Sequence, residues 1–291
     1  MAPELLNALL AVDKTTIPTE IILVSDYPVF EMGKEFPSVK FIETSLLSIA
    51  AKRNIGIEAA SAPVCAFIDD DCIPHKNWIA DAIAWMDANP EAAGVEGSTH
   101  VERGASGAVL DAIRLEKPAY RTNNIFYRRD ALMVVGMFDE RFEFQREDVD
   151  LAFTLLDKGY SIGYSKYLRV MHRFRHDEPF DLLKNCWRRR FDPLLFRKHP
   201  IRYREHIGTP VTPAIAAIGV AHVASLLLFH APLQMLILPL ILSAAFALRR
   251  AAAANTVATL LPDILSFFVS PFVLWAALVA GSIRFRKILL V

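Results

Sequence analysis

A short apolar run that ends in three consecutive carboxylates is the feature that most constrains the fold of this chain. Residues 65–74 read Cys-Ala-Phe-Ile-Asp-Asp-Asp-Cys-Ile-Pro. Apolar runs of this length are typical of strands buried on both faces of a parallel sheet, so the acids lie where the strand leaves the core. In open α/β sheets, ligands bind at that carboxyl edge. The sequence therefore predicts an α/β fold with a ligand site after this strand.

The three carboxylates Asp69, Asp70 and Asp71 repel one another unless a cation or hydrogen-bond donors offset the repulsion. Side chains alternate along an extended strand, which predicts that Asp69 and Asp71 share one side and that Asp70 faces the other. Such a pair suits a hard divalent cation, Mg²⁺ or Mn²⁺, whose remaining ligands are phosphate oxygens. The alternative is an acidic turn before Pro74, in which an aspartate caps the next helix. The triplet alone favours neither interpretation.

Strand and helix patterns alternate along the first 175 residues, and this alternation predicts a parallel, doubly wound sheet. The predicted strands, besides the acidic one, are Glu20–Asp26, Val39–Glu43, Gly94–Val101, Thr122–Tyr127 and Tyr160–Met171. The predicted helices are Pro3–Val12, Ile49–Ala60, Asn77–Asn89, Asp130–Val135 and Arg146–Leu156.

A second group of acids, Glu147, Asp148 and Asp150, opens the helix predicted at 146–156. One explanation is structural, because acids in the first turn of a helix favour its dipole. The functional explanation is that one of these carboxylates is a general base, held within hydrogen-bond reach of an acceptor hydroxyl.

The charges and apolar residues are unevenly distributed. The formal net charge is zero, but residues 166–205 contain twelve Lys/Arg against five Asp/Glu. The hydrophobic share of 53% is high, and the surplus lies after Pro210. Three cysteines, Cys65, Cys72 and Cys186, form neither a metal-ligand spacing nor an even disulfide set, which favours a reducing cytoplasm for the main domain. The neutral net charge and the apolar residues after Pro210 argue against a nucleic-acid partner.

Three apolar runs of very low charge, 213–229, 233–248 and 256–283, make up that tail. Basic residues at 249–250 and 284–287 predict that both of these ends lie on the inner, cytoplasmic side of the membrane. That arrangement needs an even number of crossings between them, so the third run is expected to be partly interfacial or re-entrant. We expect two or three spans. Before the tail, helical spacing over Leu182–Phe196 predicts a basic amphipathic helix with Trp187, Phe191 and Leu195 near one face, lying at the lipid headgroups.

Five pieces of sequence follow one another along the chain: Val24–Asp26, Ala51–Gly56, Phe67–Pro74, Gly136–Phe142 and Glu147–Phe153. In this order they resemble the family 2 inverting glycosyltransferases of the GT-A fold. The resemblance implies an α/β fold with a Rossmann-like mixed sheet flanked by helices, and it implies three regions. These are a GT-A domain at 1–175, a basic juxtamembrane segment at 176–210 and a membrane anchor of two or three transmembrane helices at 211–291.

The resemblance also implies roles for individual residues. Asp148 would be the catalytic base. Asp71 and Asp69 would hold a divalent cation, Mn²⁺ or Mg²⁺, and His172 would complete the metal site; the alternative for His172 is a positively charged surface stripe. Residues implied to bind the donor nucleotide are Asp26, Arg53, Asp69 and Asp70. Residues implied to line the sugar and acceptor pocket are Asn124 and Glu147.

The expected activity is the transfer of a sugar from a nucleotide-sugar donor to a lipid-linked or envelope-glycan acceptor, at the inner (cytoplasmic) membrane with the catalytic domain in the cytoplasm. The Gln-x-x-Arg-Trp motif of processive synthases is absent, and its nearest counterpart is Trp187-Arg188-Arg189-Arg190, so we expect one or few sugars to be added. Family members begin with a strand, whereas this chain begins in a helix, so we expect the first strand to be missing.

Three alternatives stay open. The chain could be a polyprenyl-phosphate glycosyltransferase, whose acceptor phosphate needs little base assistance. It could be a non-catalytic membrane scaffold with a truncated GT-A domain. It could also be a nucleotidyltransferase on a similar fold, although the helical anchor argues against that activity.

Overall fold

The computed structural model describes residues 2–12, 17–101, 118–173, 178–254 and 257–289. The chain divides into two compact units. The first unit contains the described residues up to 173, and the second contains those from 178 onward. Apolar side chains form buried clusters within each of them. The predicted boundaries at 175 and 210 stay predictions, and so does the missing first strand.

Helices and strands alternate in the first unit. Its helices are α1 (Ala2–Ala11), α2 (Phe30–Glu35), α3 (Ile49–Ala59), α4 (Trp78–Ala88), α5 (Arg129–Val135) and α6 (Glu147–Asp157). Its strands are β1 (Ile21–Ser25), β2 (Val39–Glu43), β3 (Val64–Phe67), β4 (Cys72–Pro74), β5 (Ala92–Val101), β6 (Ile125–Arg128) and β7 (Ser161–His172).

These strands form two sheets among the described residues. Strands β1 and β2 pair in parallel, with Ile21 opposite Val39. The other strands form a five-stranded sheet in the order β3-β6-β5-β7-β4, in which only β5 and β7 are parallel. The predicted mixed sheet with flanking helices is confirmed, but the wholly parallel sheet expected from the alternation is wrong. Strand β6 runs against β5 because the chain re-enters the sheet at the end where β5 leaves, as the bond from Gly97 N to Asn124 O shows (2.9 Å).

Apolar side chains cover both faces of the five-stranded sheet. On β6, Phe126 packs in a cluster with residues of α1 and α4, such as Leu5 and Trp78. Its neighbour Tyr127 packs in another cluster with α5 and α6. Successive side chains of a strand point to opposite faces, so the two clusters lie on opposite sides of the sheet. The first unit is therefore a layered α/β structure with helices on each face.

The second unit is helical. Its elements are α7 (Asp181–Arg188), a 3₁₀ turn (Arg189–Phe191), α8 (Asp192–Lys198), α9 (Pro200–His206), α10 (Pro213–Leu228), a 3₁₀ turn (Gln234–Leu236), α11 (Ile237–Ala254) and α12 (Leu260–Phe285). The single helix predicted over 182–196 is divided by the first 3₁₀ turn. The reason is Pro193, which has no N–H to donate to the carbonyl one turn earlier.

Two stretches among the described residues are long and apolar enough to cross a membrane. Gln234–Ala252 has a mean hydropathy of 1.7, and Leu260–Phe285 has a mean hydropathy of 2.1. A third apolar helix, Pro213–Leu228, is shorter. The prediction of apolar helices at the C-terminal end is confirmed, whereas the number of membrane crossings stays a prediction.

Helix α12 is continuous, although it contains two prolines. Pro262 lies in the first turn, where a backbone N–H has no helical partner. Pro271 lies inside the helix and cannot donate to the carbonyl of Phe267. The hydroxyl of Ser270 donates to that carbonyl instead (2.8 Å), so the carbonyl has a hydrogen-bond donor although the proline supplies none.

We predict that Gly97→Ala destabilises the first unit by about 1–3 kcal/mol, the usual cost of overpacking. A methyl group at Gly97 would overlap the carbonyl oxygen of Leu168 and the amide of Asn124. The matched control is Gly56→Ala in α3, where the nearest atom to the new methyl is a Val24 methyl at 3.7 Å. There the higher helix propensity of alanine stabilises by up to about 1 kcal/mol. Thermal unfolding of the full chain measures both, and equal midpoints for the two variants would contradict the prediction.

Candidate active site

Three consecutive polar residues of α3 reach three different parts of the first unit. Successive residues of a helix are about 100° apart, so their side chains diverge. Lys52 Nζ lies 2.8 Å from Asp26 Oδ1, just after β1. Asn54 accepts a bond from the N–H of Phe138 (2.9 Å) and donates to the carbonyl of the same residue (2.9 Å). Between them, Arg53 contacts the two predicted acidic groups.

The guanidinium of Arg53 joins those two groups. Its Nη1 lies 2.6 Å from Glu147 Oε1, and its Nη2 lies 3.4 Å from Asp69 Oδ1. The Arg53 side chain is largely buried, with 16% of its surface exposed, and that of Glu147 is 7% exposed. Its guanidinium carbon also lies 5.6 Å from the ring centre of Phe138. The acids predicted at 69–71 and at 147–148 therefore belong to one site.

Asp69, Asp70 and Asp71 lie in a tight turn between β3 and β4. The N–H of Cys72 donates to the carbonyl of Asp69 (3.0 Å), so the strand alternation expected for the triplet is wrong. Asp70 is exposed in this turn, whereas Asp71 is 8% exposed. Strand β4 pairs with β7 so that Cys72 lies opposite His172. This pairing places His172 Nε2 3.5 Å from Asp71 Oδ1.

The arrangement of His172 and Asp71 suits a divalent cation. The Nδ1 atom of His172 lies 2.9 Å from the carbonyl oxygen of Arg173, which can only accept, so Nδ1 carries the proton. Nε2 then faces Asp71, and a carbonyl bond of this kind commonly orients metal-binding histidines. Asp71, Cys72 and His172 each offer one ligand atom, and these three atoms lie within 4.8 Å of one another.

Without a metal, Cys72 is a protonated thiol. Burial, then the charges of Asp71 and Asp69, raises the pKa of its thiol far above the usual range. The thiol donates to Asp71 Oδ1 (3.6 Å). Burial also raises the pKa of Asp69, while the charge of Arg53 lowers it. Hard cations prefer oxygen ligands to a thiol, so the donors suited to one here are carboxylate oxygens and one imidazole nitrogen, a set that fits Mn²⁺ or Mg²⁺.

Asp148 has the properties of a general base. It lies in the first turn of α6, where its Oδ1 accepts a bond from the N–H of Val149 (2.7 Å). Burial and, next, the charge of Glu147 raise the pKa of Asp148 to about 7, and Arg53 partly offsets the rise. A carboxylate with this pKa is about half ionised at neutral pH, close to the optimum for taking up a proton.

Unpaired polar atoms surround the beginning of α6. Among the described residues, Gln145 Oε1, Glu147 Oε2 and the Tyr127 hydroxyl are buried without a hydrogen-bond partner. Burial, followed by the charges of Glu96 and Asp148, raises the pKa of Tyr127 well above its usual value. Each unpaired buried group costs roughly 1–3 kcal/mol. A concentration of such groups beside Asp148 is typical of a functional site.

Asn124 does not belong to the site around Arg53 and Asp148. It is completely buried. Its Oδ1 accepts a bond from Trp78 Nε1 (2.8 Å), and its Nδ2 donates to the carbonyls of Ser98 (3.0 Å) and Leu168 (2.9 Å). The amide thus connects α4, β5 and β7 inside the unit and has no surface to offer a sugar or an acceptor, contrary to the prediction.

The sequence interpretation missed a carboxylate on β5. Glu96 is 5% exposed and accepts bonds from three successive backbone N–H groups, those of Ala119 (2.8 Å), Tyr120 (2.8 Å) and Arg121 (3.1 Å). The ring of Tyr120 in turn meets the ring of Phe153 on α6 edge-on, with 6.2 Å between centroids. An acid inside a strand pattern carries no local signal for such contacts, so only the structure reveals them.

Comparison with known proteins gives the same family for the first unit. Residues 1–138 match the family model described as Glycosyl transferase family 2. Glycosyltransferase AglE of Haloferax volcanii is 31% identical over 150 residues, which cover 47% of this chain and 48% of that protein. The pre-mycofactocin glycosyltransferase of Mycobacterium tuberculosis is 30% identical over 142 residues, covering 43% of this chain and 30% of that protein. The matched part is less than half the length of these curated relatives.

Solved structures of glycosyltransferases share the fold. The mannosyltransferase PcManGT from Pyrobaculum calidifontis, in complex with GDP-Man and Mn²⁺, has a TM-score of 0.58 and 17% identity, covering 94% of this chain and 84% of that one. GalNAc-T7 with UDP, GalNAc and Mn²⁺ has a TM-score of 0.51 and 14% identity, covering 68% of this chain and 47% of that one. Residues 1–138 therefore resemble a glycosyl transferase family 2 domain, and the solved structures indicate the fold of GT-A glycosyltransferases.

Proposed function

We propose that this protein is a membrane-anchored, metal-dependent, inverting and non-processive glycosyltransferase. It moves a sugar from a nucleotide-diphosphate donor to a lipid-linked or envelope-glycan acceptor. The observation that carries the proposal is the bridge of Arg53 between Asp69 and Glu147, since it brings the acids of a metal site close to a carboxylate base. The named activities of the relatives and the nucleotides and Mn²⁺ in the similar structures support it.

The residues beside β4 would hold the cation and the donor. Asp69, Asp71 and Nε2 of His172 would bind Mn²⁺ or Mg²⁺, and Asp70 lies exposed in the same turn. A dication bound there stabilises the charge that develops on the departing nucleoside diphosphate.

The pair of Asp26 and Lys52 would receive the nucleoside. The hydrogen bond from Lys52 lowers the pKa of Asp26, so this carboxylate stays ionised and can accept bonds from hydroxyl groups. Lys52 places a cation beside the same position. Lys52 is therefore a second charged group beside the nucleoside position predicted for Asp26, and the sequence pattern had not paired these two residues.

Asp148 would take the proton from the acceptor hydroxyl. The acceptor oxygen then attacks the anomeric carbon from the face opposite the nucleotide. The bond from that carbon to the diphosphate oxygen breaks, and its electron pair leaves with the nucleoside diphosphate. This single displacement inverts the anomeric centre and needs no enzyme nucleophile. Glu147 assists by keeping the pKa of Asp148 high, because a stronger base accepts the proton more readily.

Membrane attachment and location belong to the same proposal. The long apolar helices would anchor the chain. The three cysteines are free thiols, and basic residues follow the apolar runs at 249–250 and at 284–287. Both features favour a cytoplasmic catalytic domain at the inner membrane.

The apolar helices also favour a second candidate, in which the acceptor is a polyprenyl phosphate. A phosphate oxygen is already ionised at neutral pH, so its attack needs little help from Asp148. The two candidates use the same donor and metal site. They differ in how strongly turnover depends on the base.

For the metal site, we predict that Asp71→Asn and His172→Ala each weaken Mn²⁺ binding. The loss should exceed the ~10–100-fold that removal of an outer-shell partner costs, because each change deletes a direct ligand. Titration of the detergent-purified chain, with free Mn²⁺ followed by electron paramagnetic resonance, measures the affinity. Asp87→Asn on the exposed side of α4 is the matched control and should bind as the wild type does. Unchanged affinity in both site variants would contradict the assignment.

For turnover, we predict metal-dependent release of nucleotide from one donor in a panel of nucleotide sugars. Asp71→Asn abolishes it. Asp148→Asn lowers kcat by about 10²–10⁴, the usual contribution of a general base, while donor binding stays intact. Near-full activity of the Asp148 variant would favour the polyprenyl-phosphate acceptor. Failure to bind any donor in the presence of Mn²⁺ would instead favour a non-catalytic scaffold.

For the pH profile, we predict that kcat/KM rises with pH through an apparent pKa of about 7 and then levels off, because only ionised Asp148 accepts a proton. Glu147→Gln removes a negative charge that raises this pKa, so the rising limb should move to lower pH. Asp139→Asn is the matched control, since Asp139 pairs with Arg141 at the surface. A limb that stays in place in the Glu147 variant would show that another group sets it.

A further inference from the structure

Cations of the second unit gather around a small group of buried aromatic rings. Phe191 and Phe285 lie with their ring centres 6.2 Å apart. The cationic groups nearest to these rings and to Phe196 are Arg190 (4.6 Å from Phe191), Arg284 (5.1 Å from Phe285), Arg204 (4.8 Å from Phe196) and Lys287 (5.4 Å from Phe196). Arg197 donates to the carbonyl of Phe285 (2.9 Å). We call Arg190, Arg197, Arg204, Arg284 and Lys287 the cationic patch.

The charges around the cationic patch are strongly unbalanced. Residues 188–206 and 284–287 together contain ten Lys/Arg and two Asp/Glu. One of the two acids, Asp192, is completely buried, accepts a bond from the Tyr203 hydroxyl (2.9 Å) and lies 3.6 Å from Arg189. It is therefore neutralised inside the unit. The other acid, Glu205, is exposed on α9. The surface near the patch carries a large positive excess.

An apolar stripe on α12 leads to this patch. Its side chains are half to three-quarters exposed and recur at helical spacing: Leu261 76%, Leu265 50%, Phe272 56%, Trp275 69%, Val279 50% and Ile283 74%. At 100° per residue they fall within an arc of about 80°. From Leu261 to Ile283 the rise of 1.5 Å per residue gives roughly 33 Å, close to the ~30 Å of bilayer hydrocarbon.

The stripe ends where the patch begins, since Ile283 directly precedes Arg284. A helix face of this length and polarity matches hydrocarbon, and the residues beyond its end then lie at headgroup depth. We propose that the cationic patch binds the headgroups of anionic phospholipids. Charge complementarity selects anionic over zwitterionic lipid, and the continuity with the apolar stripe selects a lipid surface over other polyanions. The proposal rests on the membrane anchoring proposed above but not on glycosyl transfer.

The test uses the full chain purified in a neutral detergent. Its thermal unfolding is followed while dioctanoyl phosphatidylglycerol or dioctanoyl phosphatidylcholine is added. We expect the phosphatidylglycerol to raise the unfolding midpoint more than the phosphatidylcholine does, with an effect that weakens as salt is increased. The variant Arg204→Gln/Arg284→Gln/Lys287→Gln should need a higher phosphatidylglycerol concentration for half of the shift, on the order of a hundredfold, from ~fivefold per cation.

The matched control is Arg204→Lys/Arg284→Lys/Lys287→Arg, which keeps the charges and should respond as the wild type does. Equal stabilisation by both lipids, an undiminished response in the glutamine variant, or equal stabilisation by inorganic phosphate alone would each overturn the proposal. If the glutamine variant does not fold, the salt series on the wild type decides. A phosphatidylglycerol effect that does not weaken with salt overturns the proposal in that case.

Discussion

The ion pairs of Arg53 hold together carboxylates that would otherwise repel one another. Its guanidinium contacts Asp69 on one side and Glu147 on the other. The Glu147 contact is largely buried, and breaking a buried pair by removing one partner costs about 3–5 kcal/mol, because a charge is left without compensation. One side chain of α3 thus fixes the distance between the acidic turn and the start of α6. The rest of the site depends on that spacing.

The site is polar beyond what stability requires. Glu147 keeps a buried oxygen without a partner among the described residues, and it raises the pKa of Asp148 together with burial. A well-packed apolar cluster would avoid both costs. Unfavourable electrostatics of this kind concentrate where a protein binds charged or polar ligands. The cost is local, since the buried side-chain atoms without a partner in the described part of the first unit belong to Tyr127, Gln145 and Glu147.

Local signals in the sequence identified the ends of the elements and the acids placed there. Asp71 follows β3, and Asp148 lies in the first turn of α6. The sequence patterns of both elements are strong, and both residues lie where those patterns predict. The contact from Arg53 to Glu147 could not be predicted locally, because 94 residues separate the two. Asn124 was misassigned because a polar residue beside a strand gives no sign of whether it faces inward. The direction of the strands was also predicted wrongly. The alternation of helices and strands indicates which elements are present, but not at which end of the sheet the chain enters the next strand.

The neutral net charge conceals two oppositely charged parts. Residues 1–174 contain eighteen Lys/Arg and twenty-six Asp/Glu, whereas residues 175–291 contain fourteen and six. An acidic unit repels an anionic diphosphate, and Lys52 and Arg53 already pair with carboxylates of the site. Binding a nucleoside diphosphate beside Asp69 and Asp71 therefore requires additional positive charge, which a divalent cation supplies most compactly. The same asymmetry would favour contact of an anionic membrane surface with the basic part of the chain over contact with the acidic part.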